Sequence, residues 1–203
     1  MLIRSASGLR GIAKDHFTPE LIDKYISAFI NTQNIKSCVI GRDGRPSGKQ
    51  IALWVIDSLH KKGVNVDNCG LATTPTMQIM TEKENYDGGI VITASHNPSE
   101  YNGLKFLQND GTFLSPEKCE ELFKAVDQNI SVENSESLGA VSDYSTANKE
   151  HINKVLSAKC IDVESVIQKK FTVVIDAVNG AGSYILPTLC EQLGCKVITM
   201  NCN

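Results

Sequence analysis

The chain has 203 residues, 41% hydrophobic and 21% charged, with 15 Gly, 6 Pro and one Trp, a composition that excludes collagen, coiled coil and wholesale disorder. Lys and Arg total 20 against 23 Asp and Glu, a formal net charge of -3, so the bulk positive field that nonspecific nucleic-acid binding needs is missing. No nucleic-acid partner is expected, and any basic site must be local. The longest apolar run in the N-terminal half, Ile51 to Ile56, falls far short of the roughly 20 residues that cross a bilayer. No membrane partner and no secretory signal are expected, because Met1-Leu2-Ile3-Arg4 leads straight into Ser5-Ala6-Ser7-Gly8, and the default address is the cytoplasm. Seven scattered cysteines without a Cys-x-x-Cys pair, and four histidines far apart in sequence, read as buried reduced thiols rather than a disulfide framework or a zinc site.

In chain order, Thr18-Pro19-Glu20 reads as cap, first-position proline and first-turn acid of a helix whose apolar stripe is Leu21, Ile22, Tyr25, Ile26, Phe29 and Ile30. Ser37 to Ile40 is a short strand ending in Gly41. A helix is expected from Ile51 to Lys62, stopped by Gly63. Val64 to Cys69 is the next strand, Thr74-Pro75 opens a helix, and Asp87-Gly88-Gly89 turns the chain into the strand Ile90 to Thr93. A strand at Leu104 to Leu107, the turn Asn109-Asp110-Gly111 and a helix after Ser115-Pro116-Glu117 close a first domain. The alternation predicts an α/β fold: a mixed, mostly parallel sheet flanked by helices.

From Asp127 to Asn148 the chain thins to Ser, Asn, Glu and Gly and reads as a surface connection. Ile152, Val155 and Leu156 suggest a linking helix. A second βαβ unit then runs through Phe171 to Ile175, the turn Asn179-Gly180-Ala181-Gly182, a helix from Ser183 to Leu193, and Cys195 to Met200. Pro187 sits inside that helix, where it forfeits a hydrogen bond unless it lies in the first turn. A lone βαβ unit cannot bury both faces of a sheet, so the chain is expected to be cut short at Asn203.

The chemistry concentrates in Thr93-Ala94-Ser95-His96-Asn97-Pro98, followed by Tyr101-Asn102-Gly103-Leu104-Lys105. Ligands of open α/β sheets collect beyond the carboxyl ends of strands, which is where Ser95 falls. A serine there can carry a phosphoryl group when cations and backbone donors neutralise the transferred oxygens, and His96, Asn97 and Lys105 are suitable neighbours. The plain alternative is a capped surface turn. A serine hydrolase is disfavoured, since no Gly-x-Ser-x-Gly elbow exists. In Ser7-Gly8-Leu9-Arg10-Gly11, glycines let the backbone approach an anion and Arg10 can grip a phosphate. The stretch Gly41 to Gln50 is not a Walker motif, because the glycine interval is one residue short and Gln50 stands where Ser or Thr must be. It reads as a phosphate-facing or bracing loop in which Asp43 holds Arg42 or Arg45. Gly180-Ala181-Gly182 lacks the third glycine of a dinucleotide fingerprint.

In this order, Ser7 to Gly11, Gly41 to Arg45, and Thr93 to Pro98 with Tyr101 to Lys105 resemble the α-D-phosphohexomutase superfamily, which contains phosphoglucomutase, phosphomannomutase and phosphoglucosamine mutase. Residues 1–145 are similar to its first domain, 146–170 to a connection, and 171–203 to the opening of its second domain. The resemblance implies reversible phosphate transfer between C1 and C6 of a hexose phosphate, the small-molecule partner. It would pass through a phosphoserine at Ser95 and a hexose 1,6-bisphosphate intermediate and activator. Ser95, Lys105 and His96 would be the catalytic residues, Lys105 as general acid/base and His96 with Asn97 shaping the loop, and Arg10, Asn97, Asn102, Arg42 and Arg45 would contact phosphate or substrate. Magnesium is also implied, bridging the Ser95 phosphate to an Asp-rich loop that this sequence does not contain. The expectation is therefore a mutase as parent protein and an inactive 203-residue piece. Phosphoglucosamine mutase and a non-catalytic phosphosugar-binding module are the alternatives.

Overall fold

The computed structural model describes residues 2–84 and 86–202; Met1 and Asn203, the outer limits of the expected segments, lie outside the described residues. The chain opens as an antiparallel hairpin, β1 (Ile3–Ser5) and β2 (Gly8–Ile12), then one helical turn, α1 (Ala13–His16). Helix α2 (Pro19–Gln33) starts as its sequence dictates: the Thr18 hydroxyl accepts the Leu21 N–H at 3.2 Å, and Pro19 occupies the first turn. Strand β3 (Ser37–Arg42) leads through a loop to α3 (Gly48–Lys61), which begins earlier than Ile51 and stops at Gly63, in the left-handed conformation at φ +77°. Strand β4 (Asn65–Leu71) precedes α4 (Thr74–Lys83), capped by Thr73. Strands β5 (Gly88–Ile92) and β6 (Tyr101–Gln108) follow, then α5 (Pro116–Asp127), capped by Ser115.

The connection expected to lack structure contains a short edge strand, β7 (Val141–Asp143), laid parallel to β4 with Val66 opposite Val141. Its side chains are all exposed, so backbone pairing rather than apolar burial holds it, and composition carries no sign of it. The single linking helix is instead two, α6 (Ala147–Leu156) and α7 (Val163–Lys169), the second capped by Asp162. Strand β8 (Thr172–Asp176), α8 (Gly182–Gln192) and β9 (Lys196–Met200) complete the chain, with Pro187 in the second turn of α8. Strands β8 and β9 form a separate parallel pair covered on one face by α8. On the other face Val174, Ile198 and Met200 stand 60%, 45% and 51% exposed.

The main sheet is mixed, in the order β1-β2-β6-β5-β3-β4-β7. Strands β5, β3, β4 and β7 run parallel, whereas β6 is antiparallel to β5 and β2. The reversal at β6 follows from chain length: residues 93–100 are too few for the crossover of about a dozen that a parallel return needs. The sheet's period of two divides its core between layers. Ile40, Ile90, Ile92, Leu104 and Phe106 pack against α2, α3 and α5, while Val39, Val91 and Leu107 face Met77 and Met80 of α4. Each fully buried aliphatic side chain of this set contributes about 2 kcal/mol. Three of the cysteines, Cys38, Cys69 and Cys119, are buried as expected, and burial raises the thiol pKa of each, that of Cys69 to about 12. Cys160 is exposed.

Gly103 marks a close approach between β2 and β6. A Cβ there would lie 2.5 Å from the Leu9 carbonyl oxygen and 2.7 Å from that of Thr93, both backbone atoms with little freedom to move. Gly103→Ala is therefore expected to destabilise the protein by about 2 kcal/mol or more, measured by denaturant unfolding; wild-type stability in that variant would contradict the packing described.

Candidate active site

Strand β3 has β4 on one side and β5 on the other, so the chain order reverses at β3, and a crevice opens beyond its carboxyl end. The loops after β3, β4 and β5 meet there. They line a cleft of about 600 Å³ with Asp43, Thr73, Ser95, His96 and the Asn179-Gly180 turn that follows β8. The turn comes close because residue 44 is glycine: a Cβ on Gly44 would lie 2.4 Å from the Asn179 carbonyl oxygen.

Ser95 has a φ of 57°, the left-handed region that costs an L-residue roughly 1–2 kcal/mol. It is held there from both sides. Its N–H donates to Thr93 Oγ1 at 3.0 Å, and its carbonyl accepts from Arg45 Nη2 at 2.8 Å. Thr93 Oγ1 donates to Asp43 Oδ2 at 2.6 Å, and Arg45 Nε donates to the same carboxylate oxygen at 3.0 Å. The other Arg45 donors go to the carbonyls of Asn97, Pro98 and Tyr101. A guanidinium has five N–H bonds, and here each has a protein acceptor. Of the two roles open to this loop in the sequence, Arg45 takes the bracing one; the expected phosphate contact is corrected, because no donor is left to make it.

Behind Ser95, Arg10 on β2 and Lys105 on β6 share one face of the sheet. Arg10 lies directly opposite Gly103, two residues before Lys105, and the missing side chain at Gly103 leaves room for the guanidinium. Arg10, Lys105, Thr93 and Ser95 line a small recess of about 30 Å³. Arg10 Nη1 donates to Asn97 Oδ1 at 3.3 Å, whereas Arg10 Nε is buried without a partner. The Lys105 ammonium sits 5.0 Å from the centre of the Phe113 ring. Burial, and then the Arg10 charge beside it, lowers the Lys105 pKa below the ordinary lysine value.

The fold thus brings Ser95, Arg10, Lys105 and Asn97 together. His96 is exposed at the rim, its Nδ1 3.5 Å from Ser95 Oγ, and no described hydrogen bond ties its ring to a carboxylate, so the geometry of a hydrolase triad is missing. Two further expected contacts are corrected. Asn102 is fully buried, donating to Ser47 Oγ at 2.8 Å and accepting the Gly103 N–H, which makes it a tie between β6 and α3 rather than a ligand contact. Arg42 donates to the Asp43 carbonyl at 3.0 Å and lines neither the cleft nor the recess. Thr93, Phe113 and the Asn179-Gly180 turn were not singled out as site residues by sequence reasoning; only the position of Thr93 two residues before Ser95 could have signalled it.

Magnesium does not fit the residues present. Among the described residues no group of three His, Cys, Asp or Glu side chains could hold a metal ion, and Asp43, the carboxylate lining the cleft, is committed to Arg45 and Thr93.

Residues 1–133 match the family described as phosphoglucomutase/phosphomannomutase, alpha/beta/alpha domain I, and residues 149–203 match its domain II. A phosphoglucomutase/phosphomannomutase from Thermococcus kodakarensis is 39% identical, over 96% of this chain and 43% of that protein. A phosphoglucosamine/phosphogalactosamine mutase from Sulfurisphaera tokodaii is 36% identical, over 97% of this chain and 43% of its own length. A solved putative phosphomannomutase from Thermus thermophilus superposes with a TM-score of 0.83 at 21% identity, covering 98% of this chain and 45% of that one. The fold and the family match define a protein of the phosphohexomutase class. The chain belongs to the phosphoglucomutase/phosphomannomutase family, and it spans less than half the length of these relatives. No helix among the described residues is long and apolar enough to cross a membrane.

Replacing Arg10 by Gln removes the positive charge that helps lower the Lys105 pKa and leaves the lysine buried. The Lys105 pKa is expected to rise toward its ordinary value, read from the ε-carbon shift in an NMR titration; an unchanged or lower value would contradict the coupling.

Proposed function

We propose that Ser95 is the phosphoryl carrier of a phosphohexomutase that moves phosphate between the C1 and C6 oxygens of a hexose phosphate. The observation that supports this most directly is the buried, unpartnered Nε of Arg10 in the recess that Ser95 also lines. An orphaned charged donor is costly, and an oxygen of a phosphoryl group on Ser95 would satisfy it. In the first half-reaction the bond from Ser95 Oγ to phosphorus breaks as a sugar hydroxyl oxygen bonds to phosphorus, giving a hexose 1,6-bisphosphate. The proton of that hydroxyl passes through the neutral amine of Lys105, whose lowered pKa makes this form accessible, to Ser95 Oγ as that oxygen leaves phosphorus. After the sugar reorients, Ser95 Oγ takes the other phosphoryl group and gives up its proton, which returns through Lys105 to the released sugar oxygen. Arg10 neutralises the equatorial oxygens in both directions while Asn97 steadies it. Magnesium, which the family resemblance implies, enters none of these steps.

The intact gene product incubated with labelled glucose 1,6-bisphosphate should carry label on Ser95, and Ser95→Ala should reduce mutase turnover to background. Active protein with an unlabelled Ser95 would remove the mechanism. The second substrate reading is a hexosamine phosphate, favoured by relatives such as the probable phosphoglucosamine mutase of Methanopyrus kandleri, 33% identical. Turnover compared among glucose, mannose and glucosamine 1-phosphates decides between them. The 203-residue polypeptide alone is expected to show no conversion of glucose 1-phosphate; measurable turnover would contradict that, and lack of any turnover by the intact product would favour a non-catalytic phosphosugar-binding module.

A further inference from the structure

Four hydrogen bonds beside the cleft close into a ring that begins and ends on Ser95. Its N–H donates to the Thr93 hydroxyl, the hydroxyl to Asp43 Oδ2, Arg45 Nε to that same oxygen, and Arg45 Nη2 to the Ser95 carbonyl. The two peptide groups flanking the Ser95 Cα are thus tied to one rigid ion pair. That pair is shielded, with side-chain exposures of 11% for Arg45 and 18% for Asp43. We propose that this ring is the device that positions the reactive oxygen, with Thr93, Asp43 and Arg45 as positioning residues that never touch the sugar. The inference rests on Ser95 being the phosphoryl carrier.

Fixing both peptide planes of a residue fixes φ and ψ, and with them the direction in which Cβ leaves the chain. The left-handed φ of 57° then points the Ser95 side chain along a line that an ordinary extended serine at this position would not take. In-line phosphoryl transfer is sensitive to that line, because attacking and leaving oxygens must lie on opposite sides of phosphorus. Thr93 is the informative member. Among the described residues its hydroxyl hydrogen-bonds only the Ser95 N–H and Asp43, whereas Arg45 also holds Asn97, Pro98 and Tyr101. Removing the Thr93 hydroxyl opens the ring and leaves the bracing of the rest of the loop intact.

The test uses the intact gene product, with Thr93→Val, Thr93→Ser and Arg45→Lys, and labelled glucose 1,6-bisphosphate as phosphoryl donor. Opening the ring is expected to slow phosphoserine formation and kcat by roughly 100-fold, with KM for the sugar phosphate unchanged. Thr93→Ser, which keeps the hydroxyl, restores the rate. A merely structural role would lower the melting temperature of Thr93→Val and leave the rate per folded molecule at the wild-type level, and that result overturns the proposal. Should Arg45→Lys fail to fold, Thr93→Val carries the decision alone. A wild-type protein that never labels Ser95 overturns the functional reading and this inference with it, whereas normal labelling in wild type and Thr93→Val overturns the inference only.

Discussion

A guanidinium enclosed by carbonyl oxygens holds the loop between β5 and β6 in shape, and the placement of Ser95 in the cleft follows from it. Eight residues of irregular chain lose on the order of 1–2 kcal/mol each in backbone entropy when they settle into one conformation, and Ser95 adds the strain of its left-handed φ. Hydrogen bonds to a charged group contribute about 1.5–3 kcal/mol apiece. Arg45 makes five of them, three to the loop, one to Tyr101 at the start of β6 and one to Asp43, so it offsets a large part of that cost from a single side chain. Without Arg45 the same carbonyls would turn to water, and the loop would be left with weaker local ties, such as those of Ser95 to Thr93 and of Asn97 to Ala94, to favour the conformation that presents Ser95.

The sheet topology supplies the other half of the arrangement. Because the loop is too short for a crossover, β6 returns antiparallel beside β5 and brings Lys105 back to within reach of the residue that left β5. The hairpin at the N-terminus then adds β2 to the far side of β6, which carries Arg10 to the same face. Two cations on adjacent strands repel each other, and burial sharpens the repulsion. The fold tolerates this because Lys105 can discharge it by giving up a proton and the Phe113 ring stabilises the ammonium when it does not. An anion arriving at Ser95 relieves both costs at once.

Much of this was legible in the residues. Thr18-Pro19-Glu20 and Ser115-Pro116-Glu117 announce helix starts because the capping hydroxyl and the first-turn proline are local chemistry, independent of the rest of the fold. Ser95, Arg10, Asn97 and Lys105 were grouped through the family resemblance that their motifs carry, rather than through any spacing of their own. The roles of Arg45 and Asn102 were not. An arginine in a glycine-rich loop looks the same whether its donors meet phosphate or backbone carbonyls, and only the return of the chain through Pro98 and Tyr101 decides. Asn102 shares a face of β6 with Leu104 and Phe106, which turns it toward the core and Ser47. That parity was obscured because Leu104, Phe106 and Leu107 are all apolar. Strand β7 left no trace in hydrophobic periodicity because its partner is another backbone, and α7 was missed although Asp162 and Glu164 are a recognisable start.

The two-stranded sheet of β8 and β9 presents Val174, Ile198 and Met200 side by side above unpaired strand edges. A strip of that kind is adhesive: it offers apolar area for lateral contact and free backbone groups for strand addition. A net charge of only -3 supplies little long-range repulsion against such contact. This strip is one place where the polypeptide can adhere to itself in concentrated solution. Replacing its three side chains with lysine or glutamate would be a direct route to a sample that stays monodisperse.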